Sequence, residues 1–364
     1  MSTVSSERPT STPAKAPFYR RLHLAGTTAV IFAALVLIII VGTVLVALQG
    51  DNLMAGNNVV NMLSRTSVLG FIAIGQSLVI LNRSLDLSVG YVAALASIVG
   101  ATTMAGQADR IVLGVVAALA VAAGVGLVNG LLVTKAKVNP FITTLGVGLI
   151  IKGYLDTQYQ GPAGEAGPVF QNFGYTRIGV VPLSTAIMLL VAVAAYVLLH
   201  RTRTGYAMFA VGGNADVARL SGIRTNRTLI LAHVLCSTTA GIAGLLLASR
   251  FSTGVAVQIY SAGYDLDSIA AVVLGGTLLM GGRGGIAGTV AGVLILATLD
   301  TVFNLLQVDP FFRDVLRGVI IVAAVALYAR RQIDPNASRR RFADGPPPPP
   351  PPGNDPAESQ EVAR

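Results

Sequence analysis

The chain has 364 residues, 53% of them hydrophobic and only 12% charged, with 40 glycines and a formal net charge of +9. Soluble domains carry about twice that share of charged residues, so a soluble enzyme and a nucleic-acid-binding domain are excluded despite the basic balance, and the composition predicts an all-α membrane protein. One cysteine (Cys236) excludes a disulfide framework or a thiolate metal cluster, and three scattered histidines (His23, His200, His233) point to no histidine metal site.

Residues 1–23 are rich in Ser, Thr and Pro and end on Arg20-Arg21, which predicts a disordered cytoplasmic tail. The apolar run that follows, 24–48, is too long for a signal-peptide core and lacks a small-x-small cleavage site, so it reads as an uncleaved first span. Crossing ~30 Å of hydrocarbon takes about 20 helical residues. On that measure 111–133, 179–200, 228–249 and 284–306 are further spans with sharp edges. The stretches 68–81, 88–105, 140–155, 268–280 and 312–329 are shorter or broken by glycine, as tilted or partly re-entrant helices are. The expectation is a polytopic bundle of about ten transmembrane helices (eight to ten) filling a permease domain over 24–332. Beyond it, 333–364 contains seven consecutive prolines, Pro346 to Pro352, and is expected to be a disordered cytoplasmic tail.

Lysine and arginine set the orientation. With the N-terminus inside, 19 of the 26 cations fall on the cytoplasmic side and five outside (Arg65, Arg110, Arg177, Arg250, Arg313), while Lys152 and Arg317 lie within spans. Both termini are therefore expected in the cytoplasm, in the cell membrane of a multi-pass protein.

The chemistry is constrained by absences. None of the four lysines follows a glycine as a P-loop requires, and neither H-E-x-x-H nor G-x-S-x-G occurs, so the chain is expected to be no enzyme and to hold no cofactor or metal. Acidic residues near membrane depth are Asp86, Asp156, Asp300 and Asp314; Asp300 is the best placed for an ion relay, which an ion-coupled secondary transporter would need.

The cytoplasmic segment 201–227 is too polar to enter the membrane and too patterned for a random loop. Asn214 suits an N-cap, Asp216 sits where a helix dipole favours an anion, and Gly222 stands where a helix stops. The two turns between them place Val217 and Leu220 on one face, with Ile223 just beyond and Arg219 beside them. Such a helix suits docking into a groove of another protein, or lying on the lipid surface.

From Ala210 through Gly213, Asn214, Asp216, Val217, Arg219, Leu220 and Gly222 to Ile223, this run resembles the cytoplasmic loop of ABC importer permeases of the ribose/xylose/arabinose type. Three further stretches agree with that family: Leu85-Asp86-Leu87-Ser88-Val89-Gly90, Asn139-Pro140-Phe141-Ile142-Thr143-Thr144-Leu145-Gly146, and the glycine-rich run from Gly275 to Gly284, continuing to Gly288 and Gly292. The likeness covers roughly residues 66–325. It departs at Arg83 and Ser84, where the family has two glycines ahead of its Asp-Leu-Ser motif, and at Leu278, where a serine is common.

The motifs also have physics of their own. Asn139 caps a helix that Pro140 opens; Asp86 and Ser88 are placed to cap the next span; Gly284, Gly288 and Gly292 give a smooth stripe for close helix packing. Gln76, Asp86, Ser88, Thr143, Thr144, Asp300 and Asn304 are the candidates for a translocation path, with helix–helix hydrogen bonding the alternative use of such side chains. The outward Arg177, Arg250 and Arg313 either snorkel to lipid phosphates or meet acidic residues of a binding protein. The resemblance implies a sugar-type ABC ATPase that uses the ATP, an extracytoplasmic solute-binding protein, and a second permease copy, either a homodimer partner or a close paralogue, in the lipid bilayer and without nucleic acid. It implies import of a monosaccharide, a pentose such as xylose or ribose, with a branched-chain amino acid, nucleoside or furanosyl signal molecule as other cargoes.

Overall fold

In the computed structural model, residues 19–309 are described, together with 311–313, 315, 316, 318, 319 and 322. Helices α1 (Tyr19–Leu48), α2 (Gly56–Leu81), α3 (Val89–Met104), α4 (Ile111–Thr134) and α5 (Pro140–Gln158) come first. After them come the short α6 (Pro168–Phe173), a hairpin of β1 (Arg177–Ile178) and β2 (Val181–Pro182), then α7 (Leu183–Arg201), α8 (Arg203–Gly213) and α9 (Ala215–Leu220). The chain continues through α10 (Thr225–Phe251), α11 (Val257–Tyr260), α12 (Tyr264–Leu274) and α13 (Ile286–Leu305).

Nine of the ten expected spans fall on described residues and each coincides with a helix; 312–329 lies for the most part outside them, as do 1–18 and the proline-rich 333–364. Among the described residues, six helices are long and apolar enough to cross a membrane: α1 from Ala29, α2, α4, α7, α10 and α13. The all-α polytopic architecture therefore stands.

Several boundaries differ from the expectation. The second span is not the short 68–81 but 26 residues beginning at Gly56. Its polar first half reads as a loop, yet Ser64, Thr66 and Ser67 are buried, because Ser67 Oγ lies 2.8 Å from Thr185 Oγ1 of α7 and Thr185 donates to the Leu63 carbonyl at 3.0 Å. The span expected at 179–200 begins only at Leu183, because residues 177–182 form the hairpin around Gly179 at φ +64°. The stretch 268–280 is helical only to Leu274, where the glycine loop begins.

The core is built around α10, which packs against α2, α3 and α4. Small residues let these backbones meet: α4 buries Gly114, Ala118, Ala122, Gly126 and Gly130, one every fourth residue, and a Cβ on Gly126 would lie 2.5 Å from the His233 carbonyl of α10. Without water in the bilayer to drive apolar surfaces together, this closeness supplies the van der Waals contact that holds the helices. The glycine stripe on α13 works similarly. A Cβ on Gly288 would collide with the Gly275 carbonyl and one on Gly292 with the Ala271 carbonyl, so α12 lies directly on it. Ile31 and Leu35 of α1 cover the other side of α13 through Ala291 and Ile295.

Two non-helical segments interrupt the bundle, residues 82–88 between α2 and α3 and residues 275–285 between α12 and α13. They touch: the Gly282 amide donates to the Leu81 carbonyl at 3.0 Å. Helix α8 wedges against both, because Gly212 has no side chain to strike the Leu81 carbonyl or the Gly282 amide.

Candidate functional site

Three groups of the expected residues are separated in the fold, and they do different things. The first is at the end of the molecule that carries α9. Asn214 caps this helix as its sequence indicated, its Oδ1 accepting from the Asp216 amide at 3.0 Å and the Val217 amide at 3.1 Å, with Asp216 in the first turn and Arg219 in the last. Gly222 adopts φ +81°, its amide donates to Arg219 O and the Ile223 amide to Ala218 O, each at 3.0 Å, which closes the helix as a Schellman motif. Ala218 alone is buried, facing the body, while Val217 is 57% exposed and Leu220 89%. A rigidly capped two-turn helix thus holds two bare apolar side chains outward beside an arginine. Asn214 links it to α8, a segment whose sequence predicts a loop. Residues 203–213 are helical because Thr202 caps them, its Oγ1 accepting from the Gly205 amide at 3.2 Å, and because Met208 and Val211 are buried in the bundle.

The second group surrounds residues 82–88. Asp86 is wholly buried; its Oδ1 accepts from the Ser88 amide at 2.9 Å and the Ser88 hydroxyl at 2.5 Å, and its Oδ2 lies 3.3 Å from His233 Nδ1. His233 Nε2 is 3.0 Å from Ser84 Oγ, Asn129 donates to Ser88 Oγ at 2.9 Å, and Thr144 Oγ1 accepts from the Leu87 amide at 3.0 Å. Ser88 was expected to cap α3 with its side chain; it makes no such bond, because its hydroxyl is turned onto Asp86 instead. Backbone that leaves a helix inside a bundle needs protein partners for its polar groups; α5 supplies one to the Leu87 amide, while α4 and α10 hold the side chains of Ser84, Asp86 and Ser88. Asn129 and His233 carry no motif of their own and are identified only by what they reach across 41 and 147 residues of chain. Gln76, Thr143 and Thr144 are likewise interior, Gln76 meeting Cys236 Sγ at 3.6 Å. Asp300 is half-buried and Asn304 exposed, both on α13, away from this network.

Asn139 caps α5 as expected, accepting from the Phe141 amide at 2.9 Å, and with Arg83, Leu85 and Leu279 it borders a cavity of about 240 Å³. The third group lies at the opposite end of the bundle. Arg250 is near the end of α10, roughly 38 Å along that helix from Thr225. Its carbonyl accepts from Tyr175 Oη at 2.6 Å, which ties α10 to the segment carrying the exposed Arg177. Arg313, following α13, donates from Nε to the Val308 carbonyl at 2.6 Å.

A fourth cluster escaped the sequence reading. On α5, Lys152 Nζ pairs with Asp156 Oδ2 at 2.6 Å, and Asp156 Oδ1 accepts from Tyr260 Oη at 2.5 Å. Tyr260 also stacks on Tyr91 with centroids 5.8 Å apart, and Lys152 Nζ lies 5.2 Å from its ring centre. Lys152 and Asp156 at i and i+4 were visible as a helical pair; that Tyr260 joins them from 104 residues away was not.

Residues 58–325 match a family described as a branched-chain amino acid transport system / permease component. The chain belongs to this permease family. Over 83% of its length the permease is 39% identical to the ribose import permease protein of Escherichia coli K12, covering 93% of that protein. It is 37% identical to the ribose import permease protein of Bacillus subtilis (85% of this chain, 95% of the other), and 32% identical to the galactose/methyl galactoside import permease protein of E. coli K12 (81% and 94%). No solved structure matches. A permease component is a transport subunit and not an enzyme, and as a multi-pass protein it works within a membrane.

Proposed function

We propose that this permease is the membrane-spanning subunit of an ATP-driven monosaccharide importer, working in the cytoplasmic membrane as a pair with both termini inside. A separate sugar-type ABC ATPase supplies the energy and an extracytoplasmic binding protein delivers the cargo. The relatives named for ribose, the more similar of those compared, favour a pentose, ribose ahead of xylose, over a hexose.

The observation that carries the reading is α9: Leu220, 89% exposed on a helix capped at both ends, is a handle for another protein. ATP-driven closure of the ATPase pair pulls on Val217, Leu220 and Ile223, and α9 passes the motion through Asn214 to α8. Because α8 is wedged at Leu81 and Gly282, it moves both non-helical segments together, which suits a switch between outward- and inward-open packings. Arg177, Arg250 and Arg313 at the other end meet acidic residues of the binding protein, where opposite charge sets orientation and on-rate. Asp86, Ser88 and Thr144 serve architecture, holding the break beside the path, while Gln76 and Thr143 keep buried polar atoms available to a passing cargo.

The test is uptake of labelled ribose by proteoliposomes containing the permease, its ATPase and its binding protein. Leu220→Glu is expected to reduce uptake to background while the protein remains in the membrane at normal levels. Uptake that persists without the ATPase and collapses with an uncoupler would establish an ion-coupled transporter instead. Uptake of leucine in place of any sugar would move the cargo to the branched-chain amino acids named by the family description.

A further inference from the structure

We propose that the face of the permease bearing Tyr91, Lys152, Asp156 and Tyr260 lines the translocation path and forms a transient subsite for a polyhydroxylated cargo, whose hydroxyls exchange with the Lys152–Asp156–Tyr260 contacts. The inference rests on the importer reading and names the surface on which that import takes place.

Lys152 and Asp156 lie about 18 and 24 Å along α5 from Pro140, in the last two turns of this 19-residue helix, and their side chains are 39% and 38% exposed. An open ion pair at that depth is not a lipid-facing feature; ionisable groups inside a membrane face a watery cavity or another protein surface. The same helix offers lipid a different side, where Ile150 is 73% exposed. Helix α5 therefore has one face for hydrocarbon and one for water.

The surroundings are those of a passage. Tyr91 stands in the first turn of α3, directly after the non-helical 82–88, and Tyr260 ends α11 just before the short α12. Transported solutes bind where helices are discontinuous, and two discontinuities meet at this pair of stacked rings.

The chemistry suits a sugar. The carboxylate uses one contact per oxygen, to Lys152 and to Tyr260, and retains lone pairs for ring hydroxyls; the ammonium retains two protons. Every contact is to a neighbour that a hydroxyl can replace, so the cargo is held weakly enough to leave, as conduction requires.

The test uses the permease in its full complex. Cys236 is the single cysteine and is buried, so an introduced cysteine is read against a silent background. In proteoliposomes Lys152→Cys is expected to react with a charged, membrane-impermeant thiol reagent at least tenfold faster than Ile150→Cys. Asp156→Asn is expected to lower ribose taken up per ATP hydrolysed at least tenfold, with Asp156→Glu recovering most of it. Equal, slow labelling at both positions would overturn the proposal, as would unchanged uptake per ATP in Asp156→Asn. Failure of the unaltered complex to take up ribose or galactose would instead overturn the importer reading, while the labelling ratio still decides whether this face meets water.

Discussion

Arg83 has φ +60°, in the left-handed region that side chains avoid, at one of the two positions where the resembling family has glycine. The departure visible in the sequence is thus a real strain. Its amide donates to the Ile80 carbonyl at 2.9 Å and the side chain is exposed, so the backbone turn is kept and the residue tolerated. A left-handed side chain costs about 1 kcal/mol relative to glycine. Arg83→Gly is therefore expected to raise the melting temperature in detergent by roughly 2 °C, measured by differential scanning fluorimetry. At this scale the sequence was legible wherever the physics is local: Asn214, Gly222, Asn139 and Pro140 act within four residues of themselves. It was silent where a side chain serves a distant segment. His233 sits on an otherwise ordinary apolar helix, and only folding places it against Ser84 and Asp86.

Among the elements, α8 connects what the others separate. The sequence from 203 to 213 is short and holds three glycines, so it reads as loop; burial of Met208 and Val211 at helical spacing and the Thr202 cap outweigh that weak propensity. Helix α2 was half-missed for the complementary reason, Leu63 and Ser67 of its polar half meeting Thr185 and Ser184 of α7 rather than water. Gly212 carries the largest consequence in α8, since a side chain there would strike both the Leu81 carbonyl and the glycine loop. Gly212→Val is expected to push α8 away from both segments and to lower ribose uptake by an order of magnitude or more. Pull-down of the ATPase should stay near normal, because α9 and its caps are untouched. Loss of ATPase binding in that variant would count against α8 as the transmitting element.

For the whole molecule the prediction concerns sidedness. Leu220 and Arg177 lie at opposite ends of the bundle and both are exposed. In intact cells an impermeant thiol reagent is expected to label Arg177→Cys and not Leu220→Cys, and in inside-out vesicles the reverse, with Cys236 buried in both. Spans were readable because hydropathy acts along the whole chain, and cation placement supplies the sidedness that this labelling tests. Which face of α5 meets water was not, because that depends on Tyr260 arriving from another element.

The break at 82–88 also sets an order of manufacture. Its partners arrive late: Asn129 with α4, Thr144 with α5, and His233 only with α10, 149 residues after Ser84. During synthesis α2 and α3 therefore enter the membrane with a polar joint held only by its own Asp86–Ser88 contacts and by the end of α2. The joint is completed when the ribosome has made two-thirds of the protein. Until then the nascent chain depends on the insertion machinery to shelter that joint from lipid, and a chain cut short before α10 presents it to the proteases that clear unfinished membrane proteins.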